Sequence, residues 1–179
     1  MIGLRLFLAV LTGTASAAPQ SEQAPEYDLK AAYLYNFATF VDWPAAAFAR
    51  PDAPFVVGVI GKDPFGAALD DTFRGLTVQK RRPEIRRSAE IEKLKGSHIL
   101  FVPASEKARF KEIVEAFRGT STLVLGEAEG FAAGGGSMNY FIEDKRLRFE
   151  VNPAAARRAG LSVSSQLLRL ARIVEEKKE

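Results

Sequence analysis

One histidine, His98, and no cysteine stand among the 179 residues of this chain. A general-base role for His98 needs a nucleophile and an orienting acid nearby. Its neighbours read Ser97-His98-Ile99-Leu100-Phe101-Val102, an apolar strand run that offers neither. His98 therefore reads as a hydrogen-bonded residue of a sheet, and no catalytic residue is assigned. Thiol chemistry is excluded, and a conventional zinc site lacks its ligands. No metal and no cofactor is expected.

Two further segments invite a chemical reading. Gly58-Val59-Ile60-Gly61-Lys62 ends an apolar run just before Asp63-Pro64, which can open a helix. A phosphate loop has four residues between its glycines and a Ser or Thr after the lysine. Here the glycine spacing is shorter and Asp63 follows, so a plain strand-to-helix turn is the better reading. N–H groups after Pro64 could still accept an anion. Lys80-Arg81-Arg82 and Arg86-Arg87 straddle Pro83, with Glu84, Glu90 and Glu92 diluting their charge. A formal net charge of +3 is too small to argue for nucleic acid. A charge-guarded edge strand explains this stretch better than a polyanion or lipid site.

The residues best suited to recognition are polar groups set among apolar ones. Asn36 falls on an apolar helix face with Leu29, Tyr33, Phe37 and Phe40, either fixing the helix or serving as a pocket ligand. Trp43 reads as a packing anchor that could also serve an interface. Asn139, Phe141, Arg148 and Glu150 share one face of a predicted hairpin. They form either a surface ion network, worth little, or a recognition surface joining a guanidinium, an aromatic ring and an amide.

The elements that carry these residues follow from periodicity. Glu26 to Val41 has helical spacing, and Trp43-Pro44 ends it. Pro54–Ile60, Ser97–Val102 and Thr122–Leu125 read as buried strands. Leu76–Gln79 and Pro83–Arg87 read as lesser ones. Helices are expected from Pro64 to Phe73, Glu106 to Arg118, Glu127 to Ala133, Pro153 to Ala159, and from a Ser164 cap through Val174. A turn at Asp144-Lys145 sets Met138 opposite Val151, Asn139 opposite Glu150, Tyr140 opposite Phe149, Phe141 opposite Arg148 and Ile142 opposite Leu147. Alternating strands and helices predict an α/β fold. The expectation is a single three-layer, Rossmann-like domain over residues 26–174. Its mixed, mostly parallel sheet ends in a C-terminal antiparallel hairpin and is flanked by helices.

The N-terminus reads as a secretory signal over Met1–Ala17, with basic Arg5, an apolar Leu6–Leu11 core and Ala15-Ser16-Ala17 as cleavage site. Residues 18–25 read as a flexible lead-in and 175–179 as a charged tail. Cleavage after Ala17 predicts an exported domain.

Three segments together resemble one family. They are Lys30-Ala31-Ala32-Tyr33-Leu34-Tyr35-Asn36-Phe37-Ala38 with Val41-Asp42-Trp43-Pro44; Ser97 to Val102; and Gly134-Gly135-Gly136-Ser137-Met138-Asn139 through Arg148-Phe149-Glu150-Val151-Asn152 to Leu161–Ala171. The chain is similar to the YfiR-like family of exported bacterial proteins. The resemblance implies a periplasmic, non-enzymatic regulator that forms homodimers. It implies repression of an inner-membrane diguanylate cyclase through that enzyme's periplasmic sensory domain, which restrains cyclic-di-GMP signalling and biofilm formation. The alternative is a periplasmic small-molecule-binding component of another membrane sensor, such as a histidine kinase, or of a transport system. Relatives often carry cysteine where this chain has Ser97, so a thiol switch does not carry over.

Overall fold

The computed structural model describes residues 23–176. The secretory signal, the first part of the lead-in and the end of the tail lie outside the described residues. In chain order the elements are α1 (Gln23–Phe40), β1 (Val41–Asp42), β2 (Phe55–Ile60), α2 (Ala68–Phe73), β3 (Pro83–Ser88), β4 (Ile99–Val102), α3 (Phe110–Ala116), β5 (Leu123–Gly126), β6 (Met138–Glu143), β7 (Arg146–Val151), α4 (Pro153–Arg158), β8 (Ser162–Val163), α5 (Ser165–Leu170) and β9 (Arg172–Ile173). The main sheet has the order β3-β2-β4-β5-β6-β7-β9, parallel except between β6 and β7. A small β1–β8 ladder ties the end of α1 to the chain ahead of α5. The expected mixed α/β sheet flanked by helices is the observed architecture.

Every residue of β2, β4 and β5 is buried. That is why these segments read as continuous apolar runs: helices cover both faces of a parallel sheet. Val57, Val59, Ile99, Phe101, Leu123 and Leu125 join the core under α1 and α2. Ile60, Leu100, Val102 and Val124 join Ile113 and Phe117 beneath α3.

Helix α1 packs by a different face from the one its periodicity suggests. Ala31, Leu34, Phe37 and Ala38 are fully buried. Phe37 stacks on Tyr140 at 5.7 Å and lies 5.0 Å from Phe149. Leu29 and Phe40 are 46% and 41% exposed, and Asn36 is at the surface. Apolar residues surround so much of this helix that the period alone cannot centre its inward face. Contact with the β6–β7 hairpin centres it instead.

The hairpin holds the expected register, with Met138 opposite Val151, Tyr140 opposite Phe149 and Phe141 opposite Arg148. Asp144 and Lys145 both adopt positive φ, 49° and 59°, as a two-residue type I′ turn requires. Asn152 caps α4 by accepting the Ala155 N–H at 3.0 Å, and Ser164 caps α5 by accepting that of Leu167 at 3.2 Å.

Other expectations give way. The last helix stops at Leu170, where Ala171 turns extended, and Arg172-Ile173 become a strand beside β7. Leu76 and Thr77 form no strand but lead into a tight turn bridged from Val78 to Arg81, with Gln79 and Lys80 at positive φ. The chain from Glu127 to Ala133 makes turns without helix. The helix expected from Glu106 is a 3-10 turn until Phe110, and the one expected from Pro64 begins at Ala68.

Candidate functional site

The six recognition candidates do not converge on one place. Trp43 lies in the interior, 7% exposed, its indole N–H donating to the His98 carbonyl at 3.2 Å and its ring edge-on to Phe55. Asn36 falls on a face that reads as apolar but sits at the surface of α1, which corrects the expectation that it fixes the helix against the core or lines a pocket. Its surroundings are Leu29 and Phe40, exposed apolar side chains one to two turns away on the same side of the helix.

The hairpin brings Asn139, Phe141, Arg148 and Glu150 onto one face, as the register requires. A fifth residue organises them. Arg172 of β9 lies over the Phe141 ring at 4.1 Å, pairs with Glu143 and reaches Glu150 at 3.8 Å. These are the aromatic and acidic contacts that the sequence suggested for Arg148. Arg148 instead stays exposed, with no ion pair among the described residues. Asn139 is buried, and its Oδ1 has no hydrogen-bond partner, while its Nδ2 lies 3.5 Å from Glu150. The surface that a partner can touch is therefore Phe141, Arg148 and Arg172. Asn139 lies beneath it. Arg172 was missed because its segment reads as helix. The Arg172-Ile173-Val174 run, with two β-branched residues after Ala171, was the available strand signal.

His98 is built into the sheet. Its Nδ1 accepts the Val56 N–H at 2.9 Å, and its own N–H donates to the Val56 carbonyl at 2.8 Å. Its ring is stacked between Phe48 at 4.3 Å and Phe55 at 4.9 Å. Nε2 is buried and has no hydrogen-bond partner among the described residues. Burial pushes the imidazole down to about 4, and the positive charges of Arg81 and Arg86 push the same way. A neutral ring engaged at Nδ1 and sealed at Nε2 cannot shuttle protons with a solvent-borne substrate.

The basic stretch is also committed to structure. Arg81 donates to the Pro51 and Ala53 carbonyls at 2.7 and 2.8 Å and lies over Phe48 at 3.7 Å. Arg87 pairs with Asp63 at 2.6 Å and with Asp70. Strand β3, which carries Arg86 and Arg87, is an edge strand as expected. A Cβ on Gly61 would collide with the Glu106 carboxylate. An acid therefore occupies the place where a phosphate would need donors, and the plain-turn reading of Gly58–Lys62 stands.

An open crevice of about 770 Å³ lies where β2, β4 and β5 end, bordered by Lys62, Asp63, Ser105 and Glu127. The sheet order reverses between β2 and β4, the position where open α/β sheets bind ligands. Tyr27 and Glu127, which line it, belong to a charge cluster that reaches behind the crevice. Lys30 Nζ meets Glu127 at 2.7 Å and Glu26 at 2.5 Å, and both the Lys30 and Glu127 side chains are 6% exposed. Glu127 also accepts from the Tyr27 hydroxyl and the Ala104 N–H. Burial first, and then the Glu127 charge, push the Tyr27 hydroxyl up beyond its usual range. Among the described residues no three His, Cys, Asp or Glu side chains are grouped to hold a metal.

A family model for YfiR/HmsC-like proteins matches residues 27–172. The chain belongs to the YfiR/HmsC-like family. That is a family of periplasmic regulators, not of catalysts. No curated protein matches the chain. One solved structure with a similar arrangement is the ABC domain in complex with L-Trp from Streptococcus pneumonia. It has a TM-score of 0.49 and 11% identity over 66% of this chain and 55% of that one. The chain thus spans little more than half the length of that protein. Among the described residues of this family member, no helix is long and apolar enough to cross a membrane.

Proposed function

We propose that this YfiR/HmsC-like protein is a periplasmic repressor. It binds the periplasmic sensory domain of an inner-membrane diguanylate cyclase and so restrains cyclic-di-GMP synthesis and biofilm formation. Family membership over residues 27–172 carries the reading. The chain's surface agrees with it. Leu29 and Phe40 stand out from α1, on the side opposite the buried Ala31, Leu34 and Ala38. Exposed apolar side chains of this size on one helix face suit a protein partner. The Arg172–Phe141 pair with the free Arg148 offers a second, polar docking face. Repression needs only that the protein bind the inactive cyclase more tightly than the active one.

Deleting the gene is expected to raise cellular cyclic-di-GMP, and the tagged protein is expected to co-purify with a membrane cyclase. Unchanged nucleotide together with no captured cyclase would sink the proposal.

A second reading, a small-molecule-binding component of another sensor or a transport system, is favoured by the crevice at the carboxyl ends of β2, β4 and β5. It predicts a ligand-dependent rise in melting temperature. Substituting Lys62 or Ser105 should abolish that rise.

A further inference from the structure

Strand β3 closes one edge of the sheet, with no covering strand among the described residues. The Phe55 N–H bonds the Arg82 carbonyl and the Gly61 N–H bonds that of Ser88, each at 2.9 Å. Even-numbered residues of this segment therefore turn their backbone groups toward β2. Pro83, Ile85 and Arg87 turn theirs outward. Ile85 offers an N–H and a C=O at the open edge, Arg87 offers the same, and Pro83 offers only its C=O. Such an edge is a template for another strand. Beside it, an open groove of about 720 Å³ runs past Pro83 and Ile85 to Phe73 and Leu76, the last 40% exposed.

The side chains on this edge are self-complementary. Glu84 and Arg86 flank Ile85 on the opposite face of the sheet, half-exposed and paired with one another at 2.6 Å. We propose that β3 pairs with β3 of a second copy of this chain, antiparallel, about a two-fold axis at Ile85. In that register Glu84 faces the partner subunit's Arg86, and Arg86 faces the partner subunit's Glu84. Each Ile85 exchanges both backbone bonds with its symmetry mate, and each Arg87 N–H meets the opposing Pro83 carbonyl. The N–H that proline lacks falls at the ends of the ladder. Neighbouring registers either oppose like charges or, with the axis at Pro83, lose both of the central exchanged bonds because proline has no N–H. A parallel pairing sets Glu84 against Glu84 and Arg86 against Arg86, and two-fold axes at residue 84 or 86 do the same for one of them. Like charges directly opposite destabilise a strand pair. The groove beside Ile85 and Leu76 gives the pairing an apolar flank.

Sedimentation velocity on the purified mature protein tests this independently of any cyclase. A reversible dimer with a micromolar-order dissociation constant is expected for so small an interface. Glu84→Arg alone and Arg86→Glu alone should each weaken self-association about 10-fold or more, because each opposes like charges across the axis. An equimolar mixture of the two variants should recover association, since the arginines of one chain then face the glutamates of the other at both positions. The Glu84–Arg86 pair within one chain cannot produce that recovery. Ile85→Pro removes the outward N–H while sparing the bonds to β2, and should leave a folded monomer, checked by thermal melting. A chain that stays monomeric at all concentrations would overturn the proposal. So would a dimer that survives all three substitutions, or one lost only on Leu29→Glu, which would place the contact on α1.

Discussion

His98 holds Val56 twice, its ring Nδ1 taking the Val56 N–H at 2.9 Å while its backbone N–H donates to the Val56 carbonyl at 2.8 Å. Val56 is the second residue of β2, one ahead of the point where the ladder to β4 begins, so the imidazole supplies the acceptor that a longer strand would have provided. A buried N–H left unpaired costs about 1–3 kcal/mol. The ring can accept this bond only while neutral at Nδ1.

That requirement makes stability depend on pH. The folded pKa of His98 is lowered to about 4 from 6.5, so the unfolded chain takes up a proton that the folded chain refuses. The contribution is complete above pH 6.5 and is lost as pH falls from there toward 4. Lowering pH from about 7.5 to about 5 should cost roughly 2 kcal/mol from this group alone. Urea unfolding at both values measures it, and His98→Asn should flatten the difference. A wild-type difference that persists undiminished in the variant refutes the assignment.

The Lys30–Glu127 pair should be costly to break and inexpensive to replace. Glu127→Ala leaves a buried ammonium with Glu26 alone and strips acceptors from the Tyr27 hydroxyl and the Ala104 N–H. A loss of about 3 kcal/mol is expected. Lys30→Met combined with Glu127→Met should recover much of it, because neither charge is then stranded. Denaturant midpoints of the single and double variants decide the matter.

The Asp144-Lys145 turn should accept improvement. Both residues hold left-handed φ, which costs an L-residue about 1 kcal/mol. Lys145→Gly should therefore stabilise the fold by about 1 kcal/mol, with Asp144→Asn adding a smaller gain. Destabilisation would mean that Lys145 makes a contact worth more than its strain.

Most of the architecture was legible because the strongest signals were local. The period-2 alternation on either side of Asp144-Lys145 settles the hairpin register, since a slip of one residue would put Tyr140 and Phe149 in water. The apolar runs of β2, β4 and β5 announce strands covered on both faces. The signal failed where a pattern admits two answers. Around α1 the apolar arc includes Leu29, Leu34, Phe37 and Phe40, so its inward face depends on which residues the hairpin presents. At the C-terminus, a capped helix pattern hid β9 because the ladder to Glu150 and Val151 is a long-range pairing. Missing β9 also hid Arg172, and the aromatic and acidic contacts of the recognition face went to Arg148 by default.

The exposed face of α1 gives the sharpest test of the repressor reading. Leu29 and Phe40 contribute little to the core, so Leu29→Asp with Phe40→Asp should change folding stability by only about 0.5 kcal/mol per site. Ala31, Leu34 and Phe37 keep their packing in that variant. If the cyclase docks here, two desolvated carboxylates oppose it and complex formation fails. Cellular cyclic-di-GMP should then rise to the level of the deletion strain while the protein remains folded and abundant. Arg148→Glu probes the hairpin face in the same assay. Full repression by the α1 variant with loss in Arg148→Glu would move the contact to the Arg172–Phe141 side. Full repression by both variants would remove both faces from the contact.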